Sequence, residues 1–291
     1  MKLWNAIKEY GSLVRFSHTI FALPFALGAF AVASIGYFKW INLLGVLMCM
    51  VTARNSAMAY NRLVDADIDA ENPRTKNRHL PTGQLEKRSV KFFIAINGLL
   101  FWVSAALFNK LTIIFAPFVW LLLLSYSHWK HWSWLCHWFL GFSIGLSPLG
   151  AWIAVRGEFA LFPSLLGVFL MFWMGGFDII YSTQDVEIDI KQGLKSVPVR
   201  FGVEKSLLIA MLSHALMLVV GVILWYLSAW HWALLLALFL SAMLLIYIHL
   251  FRKSNDLDAI NRDFFLANGA ISSVWLICLI LWVIDGGVNV L

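Results

Sequence analysis

Two short acidic clusters carry the residue types in this sequence that could do chemistry. The first, NRLVDADID, covers residues 61–69 and contains Asp65 and Asp69, four residues apart. The second, DVEID, covers residues 185–189 and repeats this spacing 120 residues later. Side chains four apart share one face of a helix, so each cluster predicts two carboxylates aimed the same way. Because Mg²⁺ binds a few carboxylates together with phosphate oxygens, we expect the clusters to face each other and hold a metal-bound diphosphate.

Neighbouring residues extend both carboxylate pairs. In the first cluster Asn61 continues the four-residue spacing, whereas Asp67 points elsewhere. Arg54 lies seven residues before Asn61, and Asp178 lies seven residues before the second cluster. An ionisable side chain at membrane depth costs about 2.5–3.5 kcal/mol on insertion scales, so both should face protein or a water-filled cavity. The side chains expected to share one face of the second helix are Asp178, Tyr181, Asp185 and Asp189.

Basic residues accompany both clusters. They are Arg62, Arg74, Lys76 and Arg78 around the first cluster, and Lys191 and Lys195 after the second. Metal would neutralise the charge of a leaving diphosphate while such cations hold its other oxygens. An apolar helical bundle would then shield the allylic cation from water, and aromatic side chains could stabilise that cation through their π faces. Either cluster alone could be a solvated helix end, but two with matching spacing and basic flanks favour a diphosphate site.

The composition indicates how these clusters are positioned. The chain has 291 residues, of which 61% are hydrophobic and only 13% charged, and its mean hydropathy is +0.78. A soluble domain has about a quarter of its residues charged. Apolar blocks of about 20 residues, long enough to cross a bilayer, predict an all-α polytopic membrane protein: a single domain over residues 1–291 with about nine helices around a central cavity. The predicted spans are 16–36, 41–60, 91–108, 111–127, 135–155, 163–182, 206–226, 232–250 and 265–284.

The positive charge follows the predicted topology. With nine spans, one side of the membrane holds only Lys39, Lys110 and Arg156, and Arg54 lies within a span. The remaining 18 of the 22 Lys and Arg residues fall on the other side, which the positive-inside rule makes cytoplasmic. Both motif connections, between spans 2 and 3 and between spans 6 and 7, are therefore expected on the cytoplasmic side, of the inner membrane if the cell is bacterial. The net charge of +6 reflects topology, and we expect no nucleic-acid partner.

Other features are assigned to packing or to the membrane interface. The N-terminus has scattered charges and no small-residue cleavage site, so we expect no removable signal peptide. The segment SHWKHWSWLCHW, residues 127–138, could bind metal through His128 and His131, but its tryptophans favour an interfacial belt. Gly141 and Gly145 suit close helix contact. Without a CxxC motif, packing is also expected for the isolated Cys49, Cys136 and Cys278.

The two motifs together resemble the paired signatures of the UbiA superfamily of intramembrane prenyltransferases. Its NDxxDxxxD pattern appears here as NRLVDADID (Asn61–Asp69), and its second motif, DxxxD with an upstream Asp and Tyr, as DIIYSTQDVEID (Asp178–Asp189). The trailing sequences RTKNRHLPTG and GLKS also match the family. The resemblance covers essentially the whole chain. It implies Mg²⁺-dependent transfer of a polyprenyl group from polyprenyl diphosphate to a small aromatic acceptor.

The resemblance also assigns roles to residues. The Mg²⁺–diphosphate complex would be bound by Asn61, Asp65, Asp69, Asp185 and Asp189. Its cationic partners would be Arg74, Arg78, Lys191 and Lys195. The acceptor end of the cavity would contain Asp178, as a catalytic residue, with Tyr181, Arg54 and Arg15.

One departure concerns Arg62, which stands where the family has an aspartate. We expect the first motif to hold metal with fewer acids and Arg62 to contact phosphate directly. Asn-Arg forms resemble the 4-hydroxybenzoate polyprenyltransferase branch, including its relatives in menaquinone synthesis. Dihydroxynaphthoate, haem and chlorophyll-type acceptors are the alternatives. A transporter would need a path open alternately to both sides, whereas these charges cluster toward one face, so the sequence favours the enzyme.

Overall fold

The computed structural model describes residues 2–15, 21–251 and 257–286, with side chains described for 8–15, 21–250 and 265–286. All regular structure within these residues is helical. The α-helices are α1 (Lys2–Leu13), α2 (Leu23–Ala33), α3 (Trp40–Val64), α4 (Ala66–Glu71), α5 (Lys87–Ala105), α6 (Lys110–Ser125), α7 (Trp129–Trp132), α8 (Cys136–Arg156), α9 (Leu161–Ser182), α10 (Val186–Lys191), α11 (Val197–Phe201), α12 (Val203–Leu227), α13 (Trp232–Ile246) and α14 (Leu257–Ile284). Short 3₁₀ segments cover Tyr126–His128 and Thr183–Asp185, and a π-helix covers Tyr247–Phe251.

Eight helical stretches in the described residues are long and apolar enough to cross a membrane. They are Trp40–Val64, Lys87–Ala105, Lys110–Trp132, Cys136–Arg156, Leu161–Lys191, Val203–Leu227, Trp232–Leu250 and Phe265–Ile284. These helices confirm the all-α, polytopic membrane class and correspond to the second through ninth predicted spans.

The first predicted span, 16–36, has a shorter helix in its described part. Helix α2 has 11 residues, or about 16 Å at 1.5 Å per residue, against about 30 Å of hydrocarbon. Pro24 lies in its first turn, where the missing N–H of proline costs no helical hydrogen bond. Residues 16–20 lie outside the described residues.

Helix α9 lies at the centre of the main core. Its Leu166, Phe169 and Trp173 are completely buried. Aromatic rings from two other helices pack on it: Phe169 lies 4.5 Å from Trp275 of α14, and Trp173 lies 5.3 Å from Phe25 of α2, between ring centroids. These contacts fix α9, which carries the second acidic motif at its C-terminal end.

Helices α8 and α9 approach backbone to backbone. A Cβ atom added to Gly145 would collide with the carbonyl of Gly167, and one added to Gly141 would collide with the carbonyl of Met171. The small residues therefore permit the close helix contact that the sequence predicts.

Helix α1 is an element that the hydrophobic spans do not predict. It is amphipathic, and its Tyr10 ring stacks on Phe93 of α5 with centroids 4.6 Å apart. Leu13 and Val14 are buried at its C-terminal end. With only 12 residues, α1 is too short to span a bilayer, and it packs beside the first motif helix.

Both motif helices are interrupted beside their acids. Helix α3 ends at Val64, and after Asp65 the chain continues as α4. Helix α9 ends at Ser182, and the 3₁₀ turn to Asp185 precedes α10. Each motif is therefore a helix with a break near its first acid rather than one continuous helix.

Candidate active site

A single cavity of about 770 Å³ contains both acidic motifs. Its wall includes residues of α3, α4, α6, α8, α9 and α10. Twelve of the fourteen residues assigned to the site from the sequence line it: Arg15, Arg54, Asn61, Arg62, Asp65, Asp69, Arg74, Arg78, Asp178, Tyr181, Asp185 and Asp189. The two motifs, 120 residues apart in the sequence, thus face one shared space.

The first motif turns two of its three aspartates inward. Asp65 and Asp69 are each only 5% exposed. Asn61 donates a hydrogen bond from Nδ2 to Oδ2 of Asp65 over 3.0 Å. The Asp67 side chain is 93% exposed and contacts Lys87 at 3.1 Å on the surface. The four-residue spacing therefore separates the inward acids from the outward one, as the sequence predicts.

Cations from the following connection bind these acids. Arg78 donates from Nη1 to both carboxylate oxygens of Asp69, at 2.6 and 2.8 Å. Arg74 reaches across to the second motif and holds Asp185 with two bonds, from Nε at 3.1 Å and from Nη2 at 2.5 Å. Asn72 adds a bond to Oδ1 of Asp185 at 3.2 Å. The connection after the first motif therefore joins the two acidic helix ends directly.

The charge of Arg74 is maintained by its neighbours. Burial lowers the pKa of Arg74, but Tyr181 and Asp185 raise it more, so that its pKa lies above the ordinary value. Its Nη1 donates to the Tyr181 hydroxyl at 2.9 Å. Arg74 is therefore a permanent cation between the motifs, with planar donors suited to phosphate as well as carboxylate.

The two lysines that follow the second motif differ from the other predicted site residues. Lys191 and Lys195 do not line the cavity. Helix α10 ends at Lys191, Gly193 turns the chain at φ +66°, and the Lys195 ammonium instead donates to the Trp132 carbonyl at 3.1 Å. Neither lysine contributes to the described cavity wall, and their role as diphosphate ligands stays a prediction.

Lys130 lines the cavity in their place, and the sequence assigned it no role. Its Nζ lies 3.2 Å from Oδ2 of Asp65. The only sequence signal for Lys130 is its place in the Trp- and His-rich segment.

His128 of that segment contacts aromatic neighbours. It bonds the Tyr60 hydroxyl at 3.0 Å and stacks on Trp132, consistent with the interfacial interpretation.

Two arginines of the cavity wall, Arg54 and Arg62, have hydrogen-bond acceptors within the protein. Arg54 donates to the backbone carbonyls of Val14 at 3.0 Å and Arg15 at 2.9 Å. Arg62 is 8% exposed, and its Nη1 is 3.4 Å from Oδ1 of Asn61. Arg15, Arg54 and Arg62 all line the cavity, and Arg62 is the most buried of the three.

The family comparison decides what class of protein has this cavity. The UbiA prenyltransferase family matches residues 22–269. The chain belongs to this family. The resemblance inferred from the two motifs is therefore confirmed, and the protein is a UbiA-family prenyltransferase.

Relatives and solved structures match over most of the chain. A 4-hydroxybenzoate octaprenyltransferase of Marinomonas sp. (strain MWYL1) is 29% identical, covering 89% of this chain and 93% of that protein. The 4-hydroxybenzoate octaprenyltransferase of Vibrio campbellii is 25% identical, covering 94% and 97%. The apo structure of a UbiA homolog from Aeropyrum pernix K1 has a TM-score of 0.78 at 28% identity, covering 91% and 97%. A UbiA homolog from Archaeoglobus fulgidus bound to GPP and Mg²⁺ shares the fold, with a TM-score of 0.70 at 19% identity, covering 94% and 99%.

The donor set of this UbiA-family cavity suits Mg²⁺ rather than a metal held by protein alone. Within the described residues, no three His, Cys, Asp or Glu side chains are grouped as a ready-made metal site. Mg²⁺ does not need such a group, since it keeps waters and binds one or two carboxylates plus substrate phosphates. Oδ1 of Asp65 is buried and has no hydrogen-bond partner among the residues that the structure describes. Because a buried carboxylate oxygen without a partner is costly, this atom is a suitable ligand for a cation.

Proposed function

We propose that this protein transfers a polyprenyl group from polyprenyl diphosphate to a ring carbon of a hydroxylated aromatic acid such as 4-hydroxybenzoate, with Mg²⁺, in ubiquinone or menaquinone biosynthesis. One observation carries the proposal: acids of both motifs meet the cations Arg62, Arg74, Arg78 and Lys130 in one cavity whose remaining wall is largely apolar. The relatives named 4-hydroxybenzoate octaprenyltransferase support the choice of acceptor.

The diphosphate end of the cavity would bind the donor. When bound, Mg²⁺ would neutralise charge on the leaving diphosphate. The residues proposed to hold the metal-bound diphosphate are Asn61, Asp65, Asp69, Asp185 and Asp189. Arg74, Arg78 and Lys130 already contact three of these acids and would share their donors with phosphate oxygens as the donor binds.

Arg62 would supply a further phosphate contact. It is buried beside Asn61, and its bond to that side chain, at 3.4 Å, is long. A buried guanidinium needs an anion or several acceptors to offset its lost hydration. A diphosphate oxygen supplies both charge and acceptor, so the arginine in place of the family's aspartate is compatible with donor binding.

The apolar part of the cavity would hold the polyprenyl chain and exclude water. Phenylalanines line it, including Phe101 and Phe108. Phe118 and Phe159 also line it and are 65% and 57% exposed, so the apolar end reaches the surface that faces lipid. A chain longer than the cavity could therefore extend into the bilayer.

In the proposed reaction, the bond between the prenyl C1 and the diphosphate oxygen breaks and a bond from C1 to the acceptor ring carbon forms. The diphosphate leaves with the bonding pair, and the ring carbon then loses its proton to a base. We assign the acceptor end to Arg15, Arg54, Tyr181 and Asp178. Among them, Asp178 is the carboxylate able to accept a proton.

We also propose where the protein works. The eight apolar helices make it an integral multi-pass membrane protein. The excess of Lys and Arg on one side supports placing both motif connections in the cytoplasm, at the inner membrane of a bacterium. The chain would form a single domain around its one described cavity.

The test is an assay of the purified protein with Mg²⁺, a polyprenyl diphosphate and either 4-hydroxybenzoate or dihydroxynaphthoate. Mass spectrometry should show a product equal to acceptor plus prenyl minus one hydrogen, and released diphosphate in equal amount. Product from the naphthoate alone would change the proposed acceptor. Absence of any prenylated product, or hydrolysis of the donor alone, would reject the proposed function.

A further inference from the structure

His137 is a buried cavity residue to which neither motif assigns a role. It lies in the first turn of α8, is 2% exposed and lines the cavity. Its Nδ1 lies 2.7 Å from Oδ2 of Asp178 on α9. Its Nε2 receives a hydrogen bond from the backbone N–H of Val197 at 3.1 Å. Both ring nitrogens are therefore engaged, one by the acceptor-end acid and the other by the chain after the second motif.

These two contacts decide the tautomer of the ring. A backbone N–H can only donate, so Nε2 must carry a lone pair. The ring is then neutral with its proton on Nδ1, which donates to the Asp178 carboxylate. In functional sites, the hydrogen bond at one ring nitrogen of a histidine commonly sets which nitrogen carries the proton.

The bond from Val197 is itself fixed by its surroundings. Val197 is the first residue of α11, where backbone N–H groups lack helical partners. The preceding residues are tied to the segment that leads into α8: the N–H of Lys195 donates to the Lys130 carbonyl at 2.6 Å, and Cys136 Sγ approaches the Lys195 carbonyl at 3.5 Å. The imidazole is thus held by an anchored backbone.

We propose that His137 is a positioning residue, which holds the Asp178 carboxylate at one oxygen and aims it at the aromatic acceptor. This inference rests on the proposed function, since it assumes that Asp178 serves the acceptor. The side chain of Asp178 is 29% exposed while that of His137 is 3% exposed, so the acid faces the open cavity and the imidazole lies behind it.

Kinetics of three variants test the proposal: His137→Leu, His137→Asn and Asp178→Asn. Leucine removes both ring contacts. Asparagine places an amide donor near the position of Nδ1, keeping the bond to Asp178 while losing the bond from Val197. We expect His137→Leu to lower kcat/KM for the acceptor about tenfold or more, since it removes a hydrogen bond to a charged group, with the KM for polyprenyl diphosphate unchanged. His137→Asn should retain most of the wild-type kcat/KM for the acceptor.

A double-variant cycle separates positioning from a general structural effect. If His137 acts through Asp178, then His137→Leu in the Asp178→Asn background should change kcat/KM by less than about twofold. Full additivity, or an equal loss of affinity for both substrates, would overturn the proposal. His214→Leu is a matched control, because His214 is an equally buried histidine with two hydrogen bonds that does not line the cavity.

A readout without activity keeps the inference testable if His137→Leu fails to fold. In ¹⁵N-histidine spectra of the wild-type protein, the His137 ring signals are assigned as those that disappear in His137→Asn. These signals should show a protonated Nδ1 and an unprotonated Nε2. A proton on Nε2 would overturn the proposal. A wild-type protein that shows this tautomer but prenylates no acceptor would instead reject the proposed function.

Discussion

Three of the five aspartates that line the cavity are each paired with a Lys or Arg from another part of the chain. Asp69 contacts Arg78, Asp185 contacts Arg74, and Asp65 contacts Lys130. Charges in a partly buried site are costly unless paired, so these pairs offset the cost of burying the carboxylates. Under the proposed function, donor binding would exchange partners among groups already in place, which limits the reorganisation that the site requires.

The first motif contains its own control for this view. We expect Asp65→Asn to lower turnover about a hundredfold or more, as loss of one preorganised electrostatic contact often does. Asp67→Asn, two residues away, should leave turnover near the wild-type rate because that side chain is 93% exposed and faces away. Prenyl transfer rates of the two purified variants, compared with the wild-type rate, test this prediction. Equal losses in both, or none in Asp65→Asn, would remove Asp65 from the site.

At this scale the sequence predicts well what depends on local spacing. Inward Asp65 and outward Asp67 follow from helical periodicity alone. Lys130 and His137 do not, because their roles arise where α8 and the segment before it meet α3 and α9. Lys195 shows the converse: it lies near the acids in the sequence, but after the turn at Gly193 its ammonium donates to the Trp132 carbonyl.

At the scale of helices, two arginines each hold the end of another helix. Arg54 donates to the carbonyls of Val14 and Arg15 after α1, and Arg156 donates to those of Ala33 and Ile35 at the end of α2. Terminal carbonyls of a helix lack intrahelical donors, so a guanidinium can satisfy two at once. Through Arg54, α1 is fixed to the helix that carries the first motif.

These arginines provide a matched pair of variants. Arg54→Met should speed hydrogen exchange of the backbone amides near residues 10–14 about tenfold or more, because charge-assisted hydrogen bonds are lost there. Arg156→Met should leave those amides unchanged and act on the end of α2 instead. Exchange measured by mass spectrometry on both proteins tests this assignment. Unchanged exchange near α1 in Arg54→Met would show that the contact contributes nothing to its stability.

The contact between α8 and α9 predicts a difference between two glycines of one helix. Gly145→Ala should destabilise the protein by about 1–3 kcal/mol, because the added methyl group would meet the Gly167 carbonyl. Gly150→Ala has open space around its Cβ and should be neutral or slightly stabilising, since alanine favours helix. Thermal unfolding of both in the same detergent is the measurement. Equal melting temperatures would contradict the close packing.

The helices themselves follow closely from hydrophobic length. The predicted spans 41–60 and 232–250 correspond to stretches at Trp40–Val64 and Trp232–Leu250. A search for long apolar blocks does not find helix α1, because α1 is short and amphipathic. Its stability comes from packing rather than from apolar length. Helical periodicity likewise does not report the breaks beside Asp65 and Asp185.

For the whole molecule, the predicted bundle around a cavity agrees with the structure. The asymmetry of basic residues supports the proposed orientation in the membrane. The first predicted span is the main difference, since its described part holds only the short α2. The cavity joins an acidic, cation-rich end to an apolar end, and that polarity matches a substrate with a charged head and a hydrocarbon tail.

Orientation can be tested with single cysteines after the three native ones are replaced. We expect Lys76→Cys, in the exposed connection after the first motif, to react with an impermeant thiol reagent only from the cytoplasmic side. Glu158→Cys, exposed between α8 and α9, should react only from the opposite side. Labelling of intact cells and inverted vesicles reports both. The reverse pattern would contradict the proposed topology.

The most direct test of the central claim, one shared diphosphate site built from both motifs, is equilibrium binding of a polyprenyl thiolodiphosphate, an unreactive donor analogue, with Mg²⁺. We predict one molecule bound per chain, dependence on Mg²⁺, and affinity reduced about tenfold or more by either Asp65→Asn or Asp185→Asn. Undiminished affinity in either variant, or a second molecule bound independently, would contradict a single site.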